Sequence, residues 1–296
     1  MTPSVVVASI VGPPFLDNCL RSLEPEARRL GAEVIVVACG TEHQAERIAR
    51  QFPWVRLIHR RQRETVPALR RLGVLAAEGD IVAIIEEHCV AAEGWLHEAV
   101  KALESGAYGA CGGPVVDDNY GRLRDWVVYF CEYNGYLPPF EDGETADLNG
   151  ANIAYRRQLL LRHEARLAEG YWEASLHPIL LAEGVRFRSV PAMRVHHCGP
   201  FGFGYYLRQR YWFSRAFAGA RLPSLSTGQR LTYLVAAPLI PVALLARMAG
   251  RVWRKRCRRG RFLASAPLIS VAPLAYVAGE WIGYLAGPGD ALLKVE

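Results

Sequence analysis

The N-terminal third of the chain alternates between short apolar runs and longer segments in which apolar residues recur every three or four positions. Apolar runs without polar alternation predict strands buried on both faces, and the wider spacing predicts amphipathic helices. The alternation predicts an α/β fold with a doubly wound, mostly parallel sheet, in which ligands bind beyond the carboxyl ends of the strands. The predicted strands are 4–11, 33–38, 55–58, 80–86 and 107–116, and the predicted helices are 15–31, 42–52, 65–79 and 95–105.

The middle of the chain follows this pattern less closely. Residues 117–170 are rich in tyrosine, glycine, proline and aspartate. Long irregular segments in such folds usually face the substrate, so we predict a loop-rich, substrate-facing region there. We then predict a helix at 170–187 and, within 188–198, a short strand that ends in His196 and His197.

Two long apolar segments occupy the C-terminal quarter, at residues 231–248 and 262–287, and each contains two prolines. Between them lies AGRVWRKRCRRGR (249–261), which has seven basic residues and no acidic one. The second segment exceeds the roughly 20 apolar residues that cross a bilayer. We therefore predict a membrane-associated helical region; the alternative is a pair of buried helices in a soluble C-terminal domain.

The N-terminus has no basic residue before its apolar run and no small-residue cleavage site, so we expect a first strand there rather than a signal peptide. Without an export signal, the α/β domain is expected to be cytoplasmic. A full crossing by 231–248 would place the basic run outside the cell, against the positive-inside tendency. We therefore expect 231–248 to lie in the interface or to re-enter, with 262–287 spanning the bilayer or forming the other arm of a shallow hairpin.

The charge is distributed unevenly. Residues 1–150 carry 14 Lys/Arg and 22 Asp/Glu (net −8), whereas residues 151–296 carry 21 and 7 (net +14). A uniformly basic nucleic-acid-binding protein would not show this asymmetry, but an acidic cytosolic domain followed by a basic membrane-facing region would. The seven cysteines are scattered and form no CxxC pair, which predicts reduced thiols rather than a zinc ribbon or a disulfide framework.

The stretch IVAIIEEHC (81–89) runs five apolar residues directly into Glu86, Glu87 and His88. A buried strand that ends in three ionisable groups needs a partner for them. The fold places this strand end where ligands bind, so these side chains are candidate site residues. The alternative is a solvated turn after a strand.

This pattern, together with DLNGANIAYRR (147–157) and WEASLHPILLAEG (172–184), resembles family 2 glycosyltransferases of the GT-A fold over roughly residues 4–215. The resemblance implies transfer of a sugar from a nucleotide-diphosphate donor to an acceptor hydroxyl, usually with inversion and a divalent cation. It divides the chain into a GT-A-like domain at 1–220 and a membrane-associated helical region at 221–296.

The resemblance also implies a metal site. Glu86 and His88 match the Asp-x-Asp positions of the family, with Glu87 between them as a donor-binding residue. His197 matches a histidine that completes the metal site in some members, with His196 as the less favoured neighbour. Because imidazole suits Mn²⁺ better than Mg²⁺, we predict Mn²⁺ as the favoured cofactor. The alternative for His197 is a structural histidine.

On the acceptor side, Glu173 matches the catalytic carboxylate of the family and would remove the proton of the acceptor hydroxyl. The family usually has aspartate there, and a glutamate on an amphipathic helix can equally be a surface residue. Trp172 is a candidate for stacking on a sugar ring. Asn152 is predicted at a strand-to-helix turn, either bonded to a sugar hydroxyl or acting as a helix cap.

The residues expected to bind the nucleotide-sugar donor depart further from the family, because Ala38-Cys39 stands where the family has a base-binding aspartate. The donor-binding candidates are the backbone from Ser9 to Val11, Cys39, Arg70, which matches a family arginine, and Arg63, which would bind phosphate.

Together these observations predict a metal-dependent inverting glycosyltransferase, membrane-associated with its catalytic domain in the cytoplasm. Its partners would be a nucleotide-diphosphate sugar and a lipid-linked acceptor hydroxyl or phosphate, and no nucleic acid. Two alternatives stay open: a non-catalytic GT-A-like protein that binds nucleotide or lipid, and a metal-dependent nucleotidyltransferase.

Overall fold

A computed structural model describes residues 1–116, 121–168, 170–198 and 202–295 of the chain. It divides into two compact units. Unit 1 comprises residues 1–119 and 140–198, and unit 2 comprises residues 120–139 and 199–296. These bounds differ from the predicted division at residue 220 in two ways: residues 120–139 group with the C-terminal helices, and the C-terminal part of unit 2 begins at residue 199.

Unit 1 is built on an eight-stranded sheet with the strand order β3-β2-β1-β4-β9-β6-β10-β8. Strands β1 to β4 pair in parallel, as does β6 with β10, whereas β9 is antiparallel to β4 and β6, and β8 to β10. The predicted α/β fold with a mostly parallel sheet is confirmed. The strands of this sheet are β1 Pro3–Ser9, β2 Glu33–Cys39, β3 Arg56–Arg60, β4 Ile81–Glu86, β6 Ala110–Gly112, β8 Gly143–Thr145, β9 Asn152–Arg156 and β10 Phe187–Ser189.

A second, three-stranded sheet lies in the same unit, in the order β5-β11-β7. Its strands are β5 Cys89–Ala91, β7 Val115–Val116 and β11 Val195–His197. The single strand predicted at 107–116 is therefore two strands in two sheets. Gly113 separates them, and a Cβ atom there would overlap the carbonyl of Met193, so the chain turns where only glycine fits.

The helices of unit 1 cover the larger sheet. The interior strands are buried on both faces: β1 is buried at all seven positions, and the first five residues of β4 have no exposed surface. Apolar runs without alternation predicted these strands for that reason. The helices are α1 Phe15–Leu30, α2 Glu42–Gln51, α3 Val66–Ala76, α4 Trp95–Glu104, α6 Arg157–Arg162 and α7 Glu173–Ala182. The helix predicted at 170–187 is thus shorter and gives way to β10.

Unit 2 is helical in its described residues. Helix α11 packs closely against α8 through two glycines one turn apart, Gly279 and Gly283. A Cβ atom at Gly279 would overlap the Ser214 hydroxyl, and one at Gly283 would lie 2.7 Å from the Cβ of Ala218. Small residues at such spacing let two helix backbones approach each other. The helices are α5 Leu123–Tyr133, α8 Phe203–Arg221, α9 Thr227–Ala236, α10 Ile240–Lys255 and α11 Arg259–Ala286.

The two predicted apolar segments both form helices. One runs over 29 residues from Thr227 to Lys255, with a 3₁₀ turn between α9 and α10, and the other is α11 with 28 residues. By length and composition alone, both are long and apolar enough to cross a membrane. Of the residues in their most apolar windows, 17% and 39% are buried. Exposed apolar side chains remain on both helices, and the membrane-associated region stays a prediction.

Candidate active site

The site is centred on the point where the sheet reverses its strand order. The chain leaves β1 towards β2 and β3 on one side and returns to β4 on the other side of β1. In such sheets a crevice opens between the two neighbouring strands at their carboxyl ends. Glu86 is the last residue of β4, and Glu87 and His88 follow it, so IVAIIEEHC ends at this crevice.

Arg70 joins two of the predicted carboxylates. It lies on α3, is only 6% exposed, and donates a 3.0 Å hydrogen bond from Nη2 to Glu86 Oε1. Its Nη1 atom lies 3.6 Å from Glu173 Oε2. Arg70 is predicted to bind the sugar donor, and the structure places its guanidinium between the carboxylates of Glu86 and Glu173. The two carboxylates thus share one buried cation.

The charges of this cluster stabilise one another. Burial on its own would raise the pKa of Glu86, but Arg70, His197 and His88 outweigh it and hold the pKa below the usual range. Burial would lower the pKa of Arg70, but Glu173 and Glu86 raise it. Glu86 is therefore ionised in the fold and Arg70 keeps its charge.

Glu173 is the first residue of α7 and lies over Gly150. A Cβ atom at residue 150 would be 2.5 Å from Glu173 Cδ, so only glycine leaves room for the carboxylate in this position. Glu173 Oε2 is buried and accepts no hydrogen bond from any of the described residues. Its neighbouring cation, Arg70 Nη1, lies 3.6 Å away, beyond hydrogen-bond distance, so this oxygen can still accept a proton from a bound hydroxyl.

The small sheet brings the two histidines together. His197 on β11 is paired in register with Cys89 on β5, and Cys198 N donates a 2.7 Å hydrogen bond to the carbonyl of His88. The His88 and His197 rings lie 6.3 Å apart between centroids. Burial lowers the pKa of His197 to about 4, with His88 acting in the same direction and Glu86 opposing. His197 is therefore a neutral imidazole.

The donor set of Glu86, His88 and His197 fits a divalent cation by its chemistry. A metal requires an ionised carboxylate and a neutral imidazole, and Glu86 and His197 are in those states. No group of three or more His, Cys, Asp or Glu side chains within the described ranges is gathered closely enough to hold an ion. Binding would therefore require these side chains to converge.

Glu87 has a different environment from its neighbours. It is 4% exposed, and its two carboxylate oxygens accept four hydrogen bonds from the loop after β1. The donors are the Ser9 hydroxyl at 2.6 Å and the backbone N–H groups of Ile10, Val11 and Gly12 at 2.8–2.9 Å. In this conformation both carboxylate oxygens of Glu87 are bonded to protein groups. They are therefore not directed at a nucleotide sugar, which is the role predicted for Glu87.

A small cleft lies beside this loop and is lined by three of the predicted donor-binding residues, Ser9, Val11 and Cys39. The Cys39 thiol lies 3.3 Å from Gln62 O and from Glu64 N, and burial raises its pKa, so it is a neutral thiol. The Val11 N–H is already bonded to Glu87 and is not available to a ligand. Arg63 is exposed and lies outside the lining of the cleft.

The cleft is also lined by Thr41, Gln44 and His59, which are not among the predicted site residues. Thr41 and Gln44 form a capping box at the start of α2, in which each side chain bonds the backbone of the other. The pattern Thr-x-x-Gln before a helix is a recognisable signal for such a cap. It would have placed the Gln44 side chain at the carboxyl end of β2.

Asn152 opens strand β9 and does not lie at a strand-to-helix turn. It has no exposed surface; its amide nitrogen donates to Pro114 O and Met193 O, and its oxygen accepts from Trp95 Nε1. The side chain therefore ties the two sheets and α4 together, and the structure does not support a sugar contact or a helix cap. Trp172 is half-buried and immediately precedes α7, next to Glu173.

Comparison with known proteins identifies the family. Residues 4–163, more than half of the chain, match the family described as glycosyl transferase family 2. The chain belongs to this family, and the predicted glycosyltransferase of the GT-A type is confirmed at that level.

The fold is shared with two solved bacterial and archaeal proteins. A mannosyltransferase, PcManGT from Pyrobaculum calidifontis, solved with GDP-Man and Mn²⁺, superposes with a TM-score of 0.56 at 19% identity over 96% of this chain and 87% of that one. Residues 1–349 of S. aureus TarS superpose with a TM-score of 0.53 at 14% identity over 95% of this chain and 91% of that one. At these identities the likeness concerns the fold alone.

Two curated proteins match part of the sequence. Polypeptide N-acetylgalactosaminyltransferase 12 of Mus musculus and that of Homo sapiens are each 35% identical over 119 residues. The match covers 38% of this chain and 19% of each relative. The chain thus corresponds to about a fifth of their length.

Proposed function

We propose that this chain transfers a sugar, with inversion, from a nucleotide-diphosphate sugar to an acceptor hydroxyl or phosphate carried by a lipid, at the cytoplasmic face of a membrane. The observation that carries the proposal is the cluster in which Arg70 bridges Glu86 and Glu173. It brings the proposed donor end and the proposed base into one site at the carboxyl ends of the strands.

In this proposal Glu173 is the general base. Its buried Oε2 removes the proton of the acceptor hydroxyl while the acceptor oxygen bonds to the anomeric carbon. The bond from that carbon to the diphosphate breaks on the opposite face, and its electron pair leaves with the nucleoside diphosphate. Arg70, within ion-pair distance of both carboxylates, holds Glu173 in position and keeps positive charge beside the leaving group.

Glu86, His88 and His197 are the residues that would hold a divalent cation. When bound, such an ion would neutralise charge on the leaving diphosphate. The Mn²⁺ in the structure of the P. calidifontis mannosyltransferase, bound together with GDP-Man, supports a cation of this kind. We propose Mn²⁺ over Mg²⁺ because two of the three ligands are imidazoles.

The cleft next to Ser9, Val11 and Cys39 is proposed to receive the nucleotide, with Arg63 near its edge as a phosphate contact. Trp172 would stack on the sugar beside Glu173. The lipid-linked acceptor and the membrane location rest on the two long apolar helices of unit 2 and on the side chains that they leave exposed.

The decisive experiment measures release of nucleoside diphosphate from a panel of nucleotide sugars, with Mn²⁺ or with Mg²⁺, in the presence of lipid extracts as acceptor. Glu173→Gln should reduce turnover by a factor of roughly 10²–10⁴, the usual contribution of a positioned base, while nucleotide binding is retained. The matched control is Glu183→Gln, immediately after α7, where the exposed carboxylate pairs with His163.

Turnover of Glu173→Gln within a few-fold of the parent would exclude this residue as the base. Equal rates with Mg²⁺ would count against His88 as a direct ligand, and release of inorganic diphosphate would indicate a nucleotidyltransferase.

One observation favours a second candidate, a non-catalytic protein that binds nucleotide or lipid. Over the described part of the chain, no three metal-ligating side chains are gathered into a site. The Glu86 carboxylate accepts a hydrogen bond from Arg70 instead. Nucleotide binding without release of any product across the panel would establish this candidate.

A further inference from the structure

Unit 2 contains a cavity of about 110 Å³ between helices α5, α8, α10 and α11. One part of its wall is polar and includes Glu132, Tyr206, Arg210 and Arg247. The remainder is mainly apolar. This cavity has no part in the proposed sugar transfer.

The charges of the polar wall do not balance. Glu132 is fully engaged within the wall: one oxygen accepts a 2.6 Å hydrogen bond from the Tyr206 hydroxyl, and the other forms a 2.8 Å ion pair with Arg210. Arg247 projects from α10, is exposed, and makes no ion pair or hydrogen bond with any residue that the structure describes. One positive charge is therefore left over at the cavity.

The apolar wall comes from the two helices that are long and apolar enough to enter a membrane. Leu244 and Met248 on α10 face Ala272 and Pro273 on α11. Exposed apolar side chains continue along the same helices, among them Val242 and Leu274. An occupant that matches the walls has one anionic group and an adjoining apolar part.

We infer that this cavity binds the phosphate headgroup of a membrane lipid, with Arg247 pairing with the phosphate and the start of the acyl chains lying against Leu244, Met248 and Pro273. A lipid source is favoured over a soluble phosphate because a soluble anion would leave the apolar wall unmatched. The guanidinium provides two parallel donors, a geometry that suits phosphate oxygens.

The test is flotation of the full-length chain with phosphatidylcholine vesicles, prepared with and without phosphatidic acid, in the absence of nucleotide sugar. Arg247→Ala should lower the partition onto phosphatidic acid by about tenfold or more, the loss of a charge-assisted contact. Arg254→Ala is the matched control, because it removes a second exposed arginine from α10, two turns away and outside the cavity. Partition of this control variant onto phosphatidic acid should fall by about fivefold or less, which is the contribution of one arginine near an anionic surface.

A second variant tests the cavity without changing the charge. Leu244→Trp fills the apolar wall and should lower partition onto phosphatidic acid while leaving partition onto phosphatidylcholine alone unchanged. Urea unfolding checks that each variant is folded. Equal losses for Arg247→Ala and Arg254→Ala, or no loss for Leu244→Trp, would overturn the inference.

The two sources of phosphate are distinguished by competition. Inorganic phosphate and glycerol 3-phosphate are added at increasing concentration, and neither should displace the chain from phosphatidic acid beyond the effect of matched ionic strength. Displacement that depends on Arg247 would show a soluble-phosphate site and overturn the lipid assignment. Because no sugar donor is present, failure here is distinct from failure of the proposed transfer reaction.

Discussion

Unit 1 carries 19 basic and 24 acidic residues, whereas unit 2 carries 16 basic and 5 acidic residues. In unit 1 the buried charges are compensated inside the fold, as Arg70 is by Glu86 and Glu173. In unit 2 basic side chains such as Arg247 and Arg254 face outward without a carboxylate among the described residues, beside exposed apolar side chains. The two units thus differ in how their charges are compensated, and we expect the exposed basic and apolar surface of unit 2 to contact the proposed membrane.

The largest effect on stability is expected from Arg70→Ala. Removing the guanidinium leaves two carboxylates, 33% and 28% exposed, without their shared cation. Loss of the charge-assisted hydrogen bond to Glu86 and of the packing of the buried Arg70 side chain costs about 3 kcal/mol. Urea unfolding should show a loss of this size in the free energy of unfolding. Arg254→Ala, an exposed arginine of unit 2, should change it by less than about 0.5 kcal/mol. If Arg70→Ala does not fold, Arg70→Lys should fold with a smaller loss in the free energy of unfolding. A loss below about 1 kcal/mol for Arg70→Ala would contradict the view that Arg70 compensates the two carboxylates.

A pH-dependent effect is expected from His177 in unit 1. Burial lowers its pKa from the ordinary 6.5 to about 4, and its Nε2 bonds the Tyr155 hydroxyl. The unfolded chain binds the proton more readily, so the contribution of His177 is complete above pH 6.5 and is lost as the pH falls towards 4. It amounts to about 3 kcal/mol at most.

The stability of the His177→Gln variant should therefore depend less steeply on pH between 6.5 and 4 than that of the parent chain. The surface variant His43→Gln should retain the full slope. His197 contributes to the slope in all three chains, so only the difference between them is interpreted. Superimposable pH profiles for His177→Gln and the parent would show that burial does not hold this histidine neutral.

A smaller loss, about 2 kcal/mol, is expected for Glu87→Gln. The amide keeps the shape of the side chain but can no longer accept all four hydrogen bonds, and bonds to charged groups are worth about 1.5–3 kcal/mol. The control Glu93→Gln changes an exposed glutamate a few residues along the chain. Thermal and urea unfolding measure both, and equal stability of the two variants would be inconsistent with the described loop contacts.

The smallest change in stability is expected in unit 2 for the double variant Leu239→Ser with Val242→Ser. Both side chains are 67% exposed, so the free energy of unfolding should change by less than about 0.5 kcal/mol. Membrane partition should nevertheless fall, since burying each apolar side chain in lipid is worth about 1.5–3 kcal/mol. Flotation with neutral vesicles measures this, and unchanged partition would contradict a membrane partner for this face.

Much of the fold could be predicted because its central strands are continuous apolar runs. The runs at 4–11, 33–38 and 80–86 each became a strand of the larger sheet. Strand β9 was missed because its insertion between β4 and β6 depends on pairing with residues about 40–70 positions away, which no local pattern shows. The same holds for the pairing of β11 with β5, which brings His197 to His88.

The sequence predicted which residues would approach one another, but not which contacts they would make. Motif order indicated Glu86, His88, Glu173 and His197, and the structure places the two carboxylates around Arg70 and the two histidines near each other. Side-chain direction was not predictable, because Glu86 and Glu87 are adjacent in sequence yet bond different elements. The prediction for Asn152 missed its contacts for a related reason: the side chain is completely buried, which the local sequence did not indicate.

The four hydrogen bonds to Glu87 have a consequence for ligand entry. They hold the segment from Ser9 to Gly12 in one arrangement before anything binds, and this segment forms one side of the cleft. A ligand that enters there meets a rigid surface and loses little free energy to ordering it, so more of its contact energy is expressed as affinity. Nucleotides should therefore associate without a slow rearrangement of this segment.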